Sequence, residues 1–101
     1  MPESIARVVE VMTNAVRTEI IRHLTRRSMT ARELADETGV VYSSIHRHLQ
    51  VLSEQGLVVS DSPDDGPRGP IGARWSTVPA RVRKLGEEWI AYALDQSDGR
   101  G

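Results

Sequence analysis

Thr30-Ala31-Arg32-Glu33 spells a capping box, and no other four residues of the chain commit so much of the backbone. In such a box the Thr hydroxyl accepts from the third backbone N–H of a helix while the Glu carboxylate reaches back to the cap. The helix it opens buries Leu34 and Ala35 and stops at Gly39, which can turn left-handed without a Cβ clash. After Gly39-Val40-Val41 the pattern predicts a second helix from Tyr42 to Gln55, ended by Gly56. Ile45, Leu49 and Leu52, spaced by four and then three, form its buried face. Ser43, Arg47, Gln50 and Glu54 point the opposite way, with Ser44 and His46 on the flanks. Only the first turn of that outward surface is rich in hydrogen-bonding groups.

The flanking segments are consistent with this centre. Ile5, Val8, Val9 and Met12 mark one helical face, and Val16, Ile20, Ile21 and Leu24 mark another. With Asn14 as an N-cap between them, two helices are expected near residues 4–12 and 15–25. Arg26-Arg27-Ser28-Met29 is a short connector, with a bridge of strand expected at Ser28-Met29. Leu57–Ser60 and Ala73–Val78 read as paired strands, and the prolines and glycines of residues 61–72 make the link between them a long hairpin loop. Pro79 suits the first turn of a last helix, to about Asp95, with Val82, Leu85, Trp89 and Tyr92 in one stripe and Ala93 alongside. Residues 97–101 are expected to fray.

A lone pair of short helices is a weak signal, but a pair running through Gly56-Leu57-Val58 into a hairpin is a specific one. The expected fold is mainly α with a small β-hairpin wing (α+β), a winged helix-turn-helix of about five helices. It forms a single domain over residues 1–96, with the helix-turn-helix at 30–55, the wing at 57–78 and the C-terminal helix at 79–95. A chain of 101 residues has no material for a second core. With no Phe, two Trp and two Tyr the core is thin, so burial between subunits is expected to supplement it.

Composition removes several classes of function. The absence of Cys excludes disulfides, thiolate zinc sites and cysteine nucleophiles. No apolar run approaches membrane-spanning length and the first residues show no signal-peptide pattern, so a cytoplasmic protein without membrane contact is expected. No serine has a recognisable base and orienting acid, no glycine motif cradles phosphate, and adjacent Glu87 and Glu88 diverge on a helix; no enzyme is read here. The net charge of −1 argues mildly against a nucleic-acid binder, but the distribution of the charges makes it a weak objection. Every basic residue except Lys84 is Arg, the side chain shaped for bidentate phosphate and guanine contacts. Several acids fall in the wing loop (Asp61, Asp64, Asp65) and in the last helix.

Three passages resemble the ArsR-type branch of winged-helix regulators, over about residues 8–95. They are Met12 to Ile21, Thr30–Gly39 followed by Ser43-Ser44-Ile45-His46-Arg47-His48-Leu49-Gln50-Val51-Leu52, and Glu54-Gln55-Gly56-Leu57-Val58. The resemblance implies a recognition helix in the major groove of double-stranded DNA and a transcriptional regulator, expected to be a repressor. The residues agree independently. A helix N-terminus offers free amides to phosphate, Ser43 and Ser44 can bond base edges or phosphates, and Arg47 can make the bidentate contact to guanine. Tyr42 and His46 serve as phosphate ligands or by stacking on sugar. Arg32 opposes the dipole of its own helix, which favours a functional reason for it, whereas Arg26 and Arg27 read as solvated charge. Arg68 is a candidate for the minor groove or a phosphate, opposed by nearby Asp64 and Asp65, and a plain surface loop explains it equally well. Arg74, on the returning strand, is the better supported of the two.

The last helix carries a Trp on its apolar stripe with little domain to lie against, which suits an interface core. The resemblance adds that relatives pair through their first and last helices. The expected helical homodimer interface comprises Val8, Met12, Val82, Leu85, Trp89 and Tyr92. Many ArsR-type proteins sense metals through Cys on the helix-turn-helix or Asp/His clusters on the last helix. Here there is no Cys and no His in residues 80–96, so neither a metal site nor a cofactor is expected, and a small-molecule effector stays open. His48, on the edge of the buried face, is read as structural. The rival function is a winged-helix module that binds protein, against which the patch of Tyr42, Ser43, Ser44, His46 and Arg47 shows no exposed apolar anchor.

Overall fold

The computed structural model describes residues 1–61 and 72–96. Its elements run α1 (Glu3–Met12), α2 (Ala15–Arg26), β1 (Met29–Thr30), α3 (Ala31–Thr38), α4 (Tyr42–Glu54), β2 (Val58–Ser60), β3 (Arg74–Thr77) and α5 (Pro79–Ala93). The expected loop over residues 62–71 and the tail 97–101 lie outside the described residues.

The helix boundaries have local causes. Asn14 Oδ1 accepts from the Arg17 amide at 3.0 Å and so starts α2. The capping box is complete, with Glu33 N donating to Thr30 Oγ1 at 3.1 Å and Thr30 N to Glu33 Oε1 at 3.0 Å. Gly39 closes α3 at φ 75°, and Thr38 fastens the turn by donating from Oγ1 to Leu34 O at 2.7 Å. Gly56 stands at φ 77° after α4, and a Cβ there would meet Arg81 Nε at 3.1 Å.

The core forms where α2, α3 and α4 meet the sheet. Ile20, Leu24, Met29, Leu34, Ile45, Leu49, Leu52 and Leu57 are all buried. Each such side chain contributes roughly 1.5–3 kcal/mol by leaving water. The sheet has the order β1-β3-β2, antiparallel throughout, with Met29 opposite Trp75 and Val58 opposite Thr77. Val78 N donates to Leu57 O at 2.9 Å and Thr77 Oγ1 to Ile21 O at 2.9 Å, which fixes the base of the wing to α2. At the outer end of the hairpin, Asp61 N donates to Arg74 O and Arg74 N to Asp61 Oδ1, both at 2.9 Å.

Two expectations need correction. The strand bridge lies at Met29–Thr30, one residue later than expected, because Met29 fills the core while Thr30 both pairs with Arg74 and caps α3. On α1 the buried residues are Ile5, Val8 and Val11. Reversal of the chain at Thr13-Asn14 packs α2 against the Val11 side, and Met12 is left 44% exposed. No helix among the described residues is long and apolar enough to cross a membrane.

Candidate nucleic-acid interface

The outward face of α4 is supported from below by its own buried residues. Ile45, Leu49 and Leu52 are locked in the core, and Ser43, Arg47, Gln50 and Glu54 are exposed on the opposite side. Val41 precedes the helix without a side-chain cap, and the first intrahelical bonds run from Ser44 and Ile45 to Val41 O. The amides of Tyr42 and Ser43 therefore have no acceptor among the described residues. Free amides and the positive end of a helix dipole make an anion-binding end, and the absence of a side-chain cap leaves these two open.

The side chains of the first turns form a connected array. Arg47 Nη2 donates to Ser44 Oγ at 3.4 Å, a long contact that leaves most of the guanidinium to solvent. Tyr42 is half-buried against the core, and the Arg32 guanidinium carbon lies 5.2 Å from the ring centroid. His46 lies 6.2 Å from the same ring, tilted by 36°. A cation over an aromatic face gains about 0.5–1 kcal/mol at an exposed site. That offsets the unfavourable place of Arg32 in the first turn of α3, where the dipole repels it. Tyr42, Ser43, Ser44, His46, Arg47 and Arg32 thus share one surface at the start of α4.

Arg74 stands apart. Its Nη2 donates to Ser28 O at 2.9 Å and lies 3.4 Å from Glu33 Oε1, and its Nε donates to Ser28 Oγ at 3.3 Å. The guanidinium ties β3 to the β1 connector and to the cap of α3 through Nε and Nη2, while its side chain stays 40% exposed. Arg68 lies outside the described residues.

One pair was not legible in the sequence. Arg17 of α2 has a side chain only 12% exposed, and its Nε donates to Nδ1 of His48 on α4 at 3.2 Å. Its Nη1 is buried without a hydrogen bond, 4.0 Å from Glu10 Oε2. Burial first, then the charges of Arg17 and Arg47, push the His48 pKa below its ordinary 6.5. The imidazole is accordingly neutral, with Nδ1 bare and the proton on Nε2. An Arg three and four residues before Ile20 and Ile21, on the same stripe, was the available signal: a cation on an apolar face needs a buried acceptor.

The expected interface residues divide. Val8 is 3% exposed and closed off within the chain, so it has no surface left for a partner. Val82 and Leu85 are half-buried against the core. Beyond them α5 buries nothing completely, and Trp89 (40%), Tyr92 (39%), Ile90 and Leu94 are exposed together with Met12. An apolar groove lined by Val11, Met12, Ile21, Leu57, Val82 and Leu85 runs beside this surface. Among the described residues no group of three His, Cys, Asp or Glu is placed to hold a metal.

Known proteins share this architecture. An ArsR-like transcriptional regulator from Rhodococcus sp. RHA1 is similar at 27% identity and TM-score 0.69, over 92% of this chain and 82% of that one. NolR from Sinorhizobium fredii is similar at 23% identity and TM-score 0.65, over 94% of this chain and 88% of its own. The homodimeric winged helix-turn-helix DNA-binding domain Mb0332 from Mycobacterium bovis is similar at 18% identity and TM-score 0.64, over 98% and 87%. The last two speak for the fold alone. Among curated proteins none matches the chain by sequence. The model of the MarR family matches residues 12–66, from the end of α1 through the helix-turn-helix and β2. More than half of its length being so matched, the chain belongs to the MarR family, and it is a winged helix-turn-helix transcription regulator.

Proposed function

We propose that the protein binds a short inverted repeat in double-stranded DNA as a homodimer and represses the promoter that carries it. The observation that carries this reading is the uncapped start of α4, where Ser43, Ser44, Arg47, Tyr42, His46 and Arg32 gather without a carboxylate on a helix anchored by Ile45, Leu49 and Leu52. In this reading α4 enters the major groove. Arg47 takes a guanine edge, the serines bond bases or phosphate, and Arg32 and the free amides neutralise the backbone.

The dimer draws support from the exposed apolar end of α5. Trp89, Ile90, Tyr92 and Leu94 are apolar side chains that a monomer would leave wet, and Met12 is exposed as well. The Mycobacterium bovis domain of the same fold is homodimeric. A two-fold dimer presents two α4 helices to half-sites about one helical turn apart, hence an inverted repeat. Repression follows most simply, because an occupied promoter blocks polymerase without further contacts.

Selection from random double-stranded DNA at near-physiological salt tests the reading. Recovery of a palindromic site is the expected result. Enrichment of nothing, with binding that vanishes as salt rises, would sink it and turn attention to a protein partner.

A further inference from the structure

The Arg17–His48 pair lies behind the DNA-facing surface and has no part in the contacts proposed there. His48 is one residue from Arg47 on α4 and points back toward α2, so whatever holds its ring also sets how α4 is rotated and tilted. Among the described residues, the one hydrogen bond that Arg17 makes through its guanidinium is from Nε to His48 Nδ1, at 3.2 Å. With a side chain 12% exposed, Arg17 cannot exchange that bond for water at little cost.

We propose that Arg17 is a positioning residue that clasps the recognition helix through His48, and that protonation of His48 opens the clasp and weakens sequence-specific DNA binding. This rests on the DNA-binding reading above. The chemistry has one direction. Arg17 is always charged and only donates, so it needs a bare imidazole nitrogen. When Nδ1 takes a proton the acceptor is gone and two cations face each other. The charges acting on His48 are Arg17 from α2 and Arg47 on its own helix, both of which repel the added proton. Glu10 of α1 stands behind Arg17, with Oε2 at 4.0 Å from Nη1, and is the alternative partner to which the released guanidinium turns. Among the described residues α3 and β2, which also pack against α4, contribute no charge to His48.

The pair is therefore a two-position device. At neutral pH the clasp is closed and α4 is held in register. On acidification the helix loses its interhelical bond. A positive His48 adds to general phosphate attraction, so specific affinity falls while non-specific affinity does not.

The test uses the full chain, with affinity for its selected site and for an unrelated duplex measured at about pH 7.5 and about pH 5.5, at fixed ionic strength. His48→Asn keeps an acceptor near the δ position and cannot become charged. Wild type is expected to lose roughly tenfold in specific affinity on acidification, the free-energy scale of one charge-assisted hydrogen bond. His48→Asn should bind as wild type does at the higher pH and keep its affinity at the lower. Arg17→Ala, with its fold checked by circular dichroism, should be weak at both. An acid response in His48→Asn equal to that of wild type, or wild-type affinity in Arg17→Ala, overturns the proposal. A second readout needs no DNA and separates failure of the clasp from failure of the DNA reading. Imidazole ¹⁵N shifts of the free protein should give His48 as the Nε2–H tautomer, with a pKa that rises in Arg17→Ala; the opposite tautomer, or an unmoved pKa, overturns it.

Discussion

Arg47 stands in solvent with one long contact to Ser44 Oγ, whereas Arg74 is bonded to Ser28 and paired with Glu33. Their substitutions should therefore separate cleanly. Arg74→Ala is expected to destabilise the fold by about 1–2 kcal/mol in urea unfolding, with little change in DNA affinity per folded molecule. Arg47→Ala should leave the urea midpoint unmoved. His48 gives a further prediction at this scale. Its folded pKa lies below the ordinary 6.5, so the unfolded chain binds the proton more readily. The stability that comes from keeping His48 neutral is present above that value and is lost as pH falls through and below it. Urea midpoints should thus drop on acidification more steeply for wild type than for His48→Asn. Parallel slopes would contradict the packing described for the ring.

The helices were legible because their signals are local. A capping box spans four residues, a left-handed glycine acts on its own turn, and the Ile45, Leu49, Leu52 stripe is read from one helix. Thr30→Ala should accordingly cost about 1 kcal/mol, measurable by thermal or urea unfolding. Gly56→Ala combines a left-handed backbone with a Cβ pressed on Arg81 and should cost about 1–2 kcal/mol. What stayed hidden is non-local. Arg17 meets His48 across 31 residues, and Arg74 meets Ser28 across 46, distances over which periodicity carries no information. The sequence places Arg74 on a strand but does not show that Ser28 and Glu33 lie beside it. The misplaced face of α1 has the same origin: which of Val11 and Met12 turns inward was decided by where α2 packs, not by α1 itself.

In the whole molecule, α4 begins on a polar surface without a side-chain cap, and α5 leaves large apolar side chains exposed. Trp89→Glu should place a charge in the proposed subunit interface. Sedimentation at micromolar concentration is expected to give a dimer for wild type and a monomer for the variant, with the fold of each retained; a monomeric wild type would remove the basis for an inverted repeat. Base reading by α4 is measured by titrating wild type and Arg47→Ala against every single-base variant of the selected site at one salt concentration. The substitution is expected to cost about 1–3 kcal/mol and to erase discrimination at one base pair in each half-site, symmetrically about the centre. A uniform loss at all positions, or none, would show that this helix does not read the sequence.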